Sequence, residues 1–293
     1  HTLAELVAIN NGTTGNITLN SNAVALTGST SDVKAALAGN VGGVYTGNIV
    51  LNDADNTSIA AADITTIESD TTGTITVSNN IRLTGNSDVI AAAVADVNTF
   101  SGTPTATLGD AHTLAELVAI NNALTGTLTL NDVTVALTGS AADIKAALAG
   151  TFAAGYTGNV TINDANGTGI AATDITAIEA ATTGTVTVSN NINLTGTSAQ
   201  IAAAVADVNT FSGTPTATLG DAHTLAELKA INNALSGTLT LNDYTVALSG
   251  SSADVAAALA GTFADTYSGT ATLNDNHTLA ELVAINNGTT GNI

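Results

Sequence analysis

The first seventeen residues, HTLAELVAINNGTTGNI, return letter for letter at 277–293. One interval separates His1 from His112 and His112 from His223, and it also separates Tyr45 from Tyr156 and Tyr156 from Tyr267. Phe100 with Phe211, and Pro104 with Pro215, keep the same step. Residues 1–111 and 112–222 are therefore two copies of one long unit. An aromatic residue before a Thr-Gly or Ser-Gly step divides that unit again. Tyr45, Phe100, Tyr156, Phe211 and Tyr267 follow each other at almost equal half-unit intervals. The third copy is cut short, because a half unit at 223–276 leads directly into a fresh HTLAEL at His277. Halves that accept either kind of neighbour must present similar ends, as stacked modules do. The expectation is one continuous array over 1–293: unit 1–111, unit 112–222, half unit 223–276, and the start of a further unit at 277–293. Such a chain reads as a window on a longer periodic polymer.

Within each half the grammar is helix, strand, short strand, helix, strand. HTLAELVAINN carries Leu3, Leu6, Val7 and Ile9 at helical spacing. Thr2 with Glu5 forms a T-x-x-E capping box, repeated at Thr113/Glu116, Thr224/Glu227 and Thr278/Glu281. TGTLTLND (125–132) alternates as a half-buried strand, and VTVALTG (133–139) follows as a second. SAADIKAALAG (140–150) is another capped helix, with Ser140 facing Asp143, and YTGNVTINDA (156–165) returns to strand. The second half substitutes helices at 171–181 and 197–208 and strands at 183–190, 192–196 and 214–222. Strands alternating with helices favour parallel pairing through helical crossovers. The predicted fold is α/β: a solenoid of stacked helix–strand rungs of about 28 residues with a parallel sheet, right-handed by the crossover default. The five aromatics are expected to align as one packing column.

Composition narrows function. Four basic residues (Lys34, Arg82, Lys145, Lys229) face 24 acidic ones, for a net charge of −20. That charge repels phosphate backbones and anionic membrane surfaces, so neither nucleic acid nor membrane insertion is expected. No apolar run reaches the ~20 residues of a membrane span. The absence of Cys removes disulfides, thiol nucleophiles and thiolate metal sites. Ala-rich helix faces such as IAAAVADV (201–208) suit close packing against a β layer.

Acidic residues recur just after strands, at Asp53, Asp110, Asp132, Asp164, Asp221, Asp243 and Asp275. NDADN (52–56) and NDANG (163–167) are the densest clusters and offer Asp53, Asp55, Asp164 and Asn166 as candidate calcium ligands. Asx turns and helix caps call for the same residue types, and neither stretch has EF-hand spacing. A second pattern is T-x-T, at Thr74/Thr76, Thr127/Thr129, Thr185/Thr187 and Thr238/Thr240, which would line one solvated face. Such an array could order water and bind ice, or merely satisfy strand propensity. The four histidines are copies of one position, so no nucleophile–base–acid set gathers them, and no cofactor motif appears. A non-enzymatic reading follows.

AADITTIESDTTGTITVSN (61–79) and AATDITAIEAATTGTVTVSN (171–190) resemble the degenerate repeats of giant secreted or cell-surface proteins of marine cyanobacteria. The resemblance spans essentially the whole chain. It implies an extracellular protein of surface layers, adhesion or motility, often calcium-binding, although the usual calcium nonapeptides are missing here. The expected role is a structural segment of an extracellular filament, sheath or giant surface protein. Its partners would be neighbouring repeats, or copies of itself end to end. The alternative is a calcium-dependent adhesin or an ice- or ligand-binding rod.

Overall fold

A computed structural model describes residues 1–293. The first repeat folds as α1 (Leu3–Gly12), β1 (Leu26–Gly28), α2 (Thr30–Leu37), β2 (Ile49–Leu51), β3 (Ser58–Ala60), α3 (Ala61–Ser69), β4 (Ile75–Val77), β5 (Arg82–Gly85), α4 (Ser87–Asp96), β6 (Thr99–Phe100) and β7 (Thr105–Leu108). The second gives α5 (Leu114–Ala123), β8 (Leu128–Thr129), β9 (Leu137–Gly139), α6 (Ala141–Leu148), β10 (Val160–Ile162), β11 (Gly169–Ala171), α7 (Ala172–Ala181), β12 (Val186–Val188), β13 (Asn193–Gly196), α8 (Ser198–Asp207), β14 (Thr210–Phe211) and β15 (Thr216–Leu219). The remainder holds α9 (Leu225–Ala234), β16 (Leu239–Thr240), β17 (Leu248–Gly250), α10 (Ser252–Ala258), β18 (Ala271–Leu273) and α11 (Leu279–Gly288). Eleven helices thus alternate with short strands, and every strand pairing is parallel.

Packing groups the chain into two units, His1–Val135 with Ala146–Tyr156, and Ala136–Lys145 with Thr157–Ile293. The first unit has two four-stranded sheets, ordered β1-β2-β4-β6 and β3-β5-β7-β8, and its helices α1 to α5 pack in sequence order. The second has β9-β10-β12-β14, β11-β13-β15-β16 and the pair β17-β18, with α7 to α11 packed likewise. These limits lie away from the sequence repeat boundaries at 111/112 and 222/223.

The helices begin where the caps foretell. All four T-x-x-E boxes are closed: Thr2 N–H donates to Glu5 Oε2 at 2.7 Å while Glu5 N–H donates to Thr2 Oγ1 at 3.3 Å, and the other three copies match. Each helix then turns an aliphatic row inward. Leu117 and Ile120 of α5, Ile175 and Ile178 of α7, and Leu228 and Ile231 of α9 are fully buried. Strands alternate likewise, with Val160 and Ile162 inward and Thr161 between them half-exposed.

The expected rung length holds for the helices but not for the strands. From α8 to α9 the chain advances from Ser198 to Leu225, whereas the neighbouring ladder pairs Asn193 with Thr216 and Ala217 with Leu239. Because the ladder step is shorter than the helix step, each strand falls farther ahead of the helix that follows it. In the second unit β11 abuts α7 at Ala171/Ala172, β13 nearly abuts α8, β15 stops at Leu219 ahead of Leu225, and β16 stops at Thr240 ahead of Ser252. After four strands the ladder has run out of its slot, and the next sheet takes over. The same mismatch breaks the expected single aromatic column. Tyr45 bridges to Thr71, whereas Phe100 pairs with Val77, which pairs with Leu51. The tyrosines Tyr45, Tyr156 and Tyr267 are buried, and the phenylalanines Phe100 and Phe211 only half-buried. Two ladder steps carry Leu26 through Ile49 to Ile75, which falls short of the interval from Tyr45 to Phe100.

The glycines of the Thr-Gly steps follow from close approach between turns. A Cβ at Gly184 would stand 2.3 Å from the Gly158 carbonyl oxygen, and one at Gly73 would stand 2.1 Å from that of Gly47. Backbone atoms cannot yield as a side chain would.

Candidate functional site

Five of the seven recurring aspartates sit at helix N-termini of the preceding turn, whereas Asp132 and Asp243 accept from the amide and hydroxyl of Thr134 and Thr245 two residues on. Asp53 Oδ2 accepts from Thr30 N–H at 2.9 Å and from Thr30 Oγ1 at 2.6 Å. Asp110 accepts from Ser87 N–H at 2.7 Å, Asp164 from Ala141 N–H at 2.7 Å, Asp221 from Ser198 N–H at 2.6 Å, and Asp275 from Ser252 N–H at 2.8 Å. Each partner lies 23 residues upstream. A carboxylate there meets orphaned amides and the positive end of the helix dipole. Asp55 and Asn166 serve differently: their side-chain oxygens accept from Asn80 N–H and Asn191 N–H, both at 2.9 Å. The four candidate calcium ligands are therefore each occupied by a backbone amide. No group of three or more His, Asp or Glu side chains converges where a metal ion could sit.

Sequence reasoning placed the aspartates in turns but missed their partners. The signal was present as a small residue at the first helical position followed 23 residues on by Asp. Two further links between turns follow the same logic. The capping glutamates also accept from the hydroxyl of a helix-initial serine, Ser87 to Glu116 at 2.9 Å and Ser198 to Glu227 at 3.0 Å. Asn10, Asn121 and Asn232 donate their amides to carbonyls near the end of the next helix, at Ala36, Ala147 and Ala258.

Titratable groups also gather around the repeated histidine. His112 Nε2 lies 3.1 Å from the Tyr156 hydroxyl, which donates to the Val135 carbonyl at 2.6 Å. Because the tyrosine proton is committed, Nε2 carries the histidine proton. Its Nδ1 is then a buried acceptor without a partner. His223 repeats this with Tyr267 at 2.9 Å and the Val246 carbonyl at 2.7 Å. His1 lies 3.2 Å from Tyr45 but is exposed. Burial holds both inner histidines below the usual imidazole range, although Glu116, Asp132 and Asp110, or Asp243, Glu227 and Asp221, pull the other way. Burial also pushes the Tyr156 and Tyr267 phenols well up. Burial would raise the Glu116 carboxyl, but hydrogen bonds from Thr113 and Ser87 outweigh it and hold it low. Such a cluster holds neutral imidazole and neutral phenol locked together, rather than a base poised beside a nucleophile.

The lysines are committed as well. Lys34 pairs with Asp63 and Lys145 with Asp174, each at 2.5 Å, and Lys229 pairs with Asp254. The last pair lies in a groove of about 950 Å³ between α9 and α10, floored by Gly250. The threonines named from the sequence all lie half-exposed or exposed, but Thr76 and Thr129 belong to different sheets of the first unit, as Thr187 and Thr240 do in the second. No helix is long and apolar enough to cross a membrane. No protein-family model and no curated protein matches the chain.

Proposed function

We propose that the chain is a non-enzymatic structural segment, a solenoid of stacked helix–strand turns belonging to an extracellular filament, sheath or giant surface protein. One observation carries this reading. Side chains able to do chemistry recur with the repeat, and five aspartates and three histidines are committed across turns at a fixed step: Asp to an amide 23 residues away, His to a Tyr 44 residues away. Catalysis calls for a constellation assembled once, with free valence toward a substrate. Here that valence is taken up by stacking. The strongly acidic surface fits a secreted, self-repelling polymer.

Inserting one further copy of the 1–111 unit tests the idea by small-angle scattering. Four more turns at the ~4.8 Å strand spacing should lengthen the particle by about 19 Å at constant cross-section. A particle that widens, or that resolves into two bodies on a tether, would defeat the proposal.

A second reading has its own observation. Thr138, Thr161, Thr187 and Thr210 stand in register across four adjacent strands of the second unit. A ladder of hydroxyls and methyls repeating at the strand spacing could bind ice or another ordered surface. Thermal hysteresis that disappears on Thr161→Lys with Thr187→Lys would favour it; no hysteresis in the unaltered chain would dismiss it.

A further inference from the structure

Five contacts between consecutive helices share one step. Each joins an acid at the third position of a helix to a side chain 29 residues upstream. Where the helix opens on T-x-x-E, the acid is Glu and its partner a serine hydroxyl. Ser87 donates to Glu116 at 2.9 Å, Ser198 to Glu227 at 3.0 Å and Ser252 to Glu281 at 3.1 Å. Where the helix opens on A-x-D, the acid is Asp and its partner a lysine: Lys34 with Asp63 and Lys145 with Asp174, each at 2.5 Å. The difference is chemical. Each Glu already accepts from its own capping amide, so a neutral hydroxyl completes it. Helices α3 and α7 begin behind Ala60 and Ala171, which make no side-chain cap, and their Asp takes a full counter-charge. Lys229, inside a half, answers Asp254 in the same way.

From Thr30 to Ala61 and from Ala141 to Ala172 the chain takes about one helical turn more than from Ser87 to Leu114, Ser198 to Leu225 or Ser252 to Leu279. The partner therefore sits at the fifth position of the preceding helix before an A-x-D half, and at its first position before a T-x-x-E half. Helix α10 shows that these two positions follow the neighbour. It holds the place in its repeat that α2 and α6 hold in theirs, and Ser251 caps it as Ser29 and Ser140 cap those. Yet Ser252 and Ala256 replace the Ala141 and Lys145 of α6, and match Ser87 and Ala91 of α4 and Ser198 and Ala202 of α8. What α10 shares with α4 and α8 is the half behind it, which opens on HTLAEL. We propose that the first and fifth residues of the helix ending each half form an address that selects the half stacked behind it. Ser with Ala selects a T-x-x-E half, and Lys without Ser selects an A-x-D half. An A-x-D half also brings β3 or β11, the edge strand on which a new ladder begins, whereas α11 follows β18 with no strand between. The address thus fixes where along the array a sheet starts. This inference rests on the stacked-repeat reading and names the partner of each helix: a half that opens with the matching acid.

Circular dichroism melts of full-length variants test it. Exchanging the two addresses within one chain takes Ala141→Ser and Lys145→Ala together with Ser252→Ala and Ala256→Lys. Composition and net charge stay as they are, yet the melting temperature should fall by about 2–4 °C, because a Lys–Asp and a Ser–Glu contact are both lost. A cycle at the α10 junction supplies the second measurement. Ser252→Ala with Ala256→Lys should lower the melting temperature, and so should Glu281→Asp by itself. Combined, they should melt at least as high as the address change alone, since the new lysine then faces the new aspartate as Lys229 faces Asp254. That recovery should vanish in 1 M NaCl, where the pair is screened. An exchanged chain that melts with the unaltered one or above it, or losses that simply add in the cycle, would overturn the address. Either result would leave the lengthening expected from an inserted unit untouched, so the two readings fail separately.

Discussion

Tyr156→Phe isolates the link between the histidine and its neighbouring turn. The ring stays and only the hydroxyl goes. In the native chain that oxygen donates to the Val135 carbonyl at 2.6 Å and accepts from His112 Nε2 at 3.1 Å. Its loss strands one acceptor and one donor. An orphaned buried polar group costs about 1–3 kcal/mol. Val135 is half-exposed, so water can reach its carbonyl, whereas His112 is buried. The sum is about 2–3 kcal/mol, with most of it on the histidine. At about 2–4 °C per kcal/mol for a domain of about 150–250 residues, the melting temperature should fall by about 4–12 °C. The repeat supplies an internal control. Tyr267→Phe should match Tyr156→Phe, because His223 is equally buried, but Tyr45→Phe should cost about 1 kcal/mol at most, because His1 is exposed. His112→Leu combined with Tyr156→Phe should be less harmful than the two single changes added, by about 1 kcal/mol or more, since no donor is then stranded. Circular dichroism melts of the five variants decide it. Equal losses at Tyr45 and Tyr156, or strict additivity in the pair, would refute the argument.

Acid should loosen the chain in two stages. His112 and His223 have folded-state values depressed below 6.5, so the unfolded chain binds protons first, and the stability present above pH 6.5 is lost as pH falls below it. The depressed carboxyls of Glu116 and Glu227 add a second loss below about pH 4.5. Calorimetric melts from pH 8 down to about pH 2 should show both stages, and His112→Gln with His223→Gln should flatten only the first. Gly184→Ala should destabilise by about 1–3 kcal/mol in denaturant titration, because its methyl group meets the Gly158 carbonyl rather than a movable side chain; a neutral result would show that the turns can part. Asp164→Ala should cost about 1 kcal/mol as a lost helix cap, equally in calcium and in EDTA; a loss seen only with calcium present would show Asp164 and Asn166 to be calcium ligands.

Local signals carried well from sequence to structure. The capping boxes, the Ser140–Asp143 pair and the positions of α7, α8 and β13 all follow from short, self-contained patterns. Contacts between turns were harder to read. Asp221 sits in a stretch that satisfies any turn rule, and nothing local says that its carboxylate serves Ser198. The aromatic column failed for a related reason. Chain periodicity counts residues per turn, whereas lateral alignment is set by hydrogen-bond register. Where helix and ladder steps differ, equal spacing in sequence does not give equal position across a sheet. Phe100 shows it: it recurs with the tyrosines along the chain, yet it pairs at Val77, where Tyr45 pairs at Thr71.

The same register argument explains why so much polar chemistry looks like a site and is used otherwise. Stacking helices side by side brings every N-terminus, with its unpaired amides, close to the turn that follows. Those amides need acceptors that arrive at the ladder step, and Asp placed 23 residues on supplies them. Helix ends facing the next turn need donors, and Asn121 and Asn232 supply those. The stack thus uses carboxylates and amides at fixed intervals, at α2, α4, α6, α8 and α10 for the carboxylates, before any ligand is considered. With 24 acidic and four basic residues, two copies repel wherever carboxylates face each other.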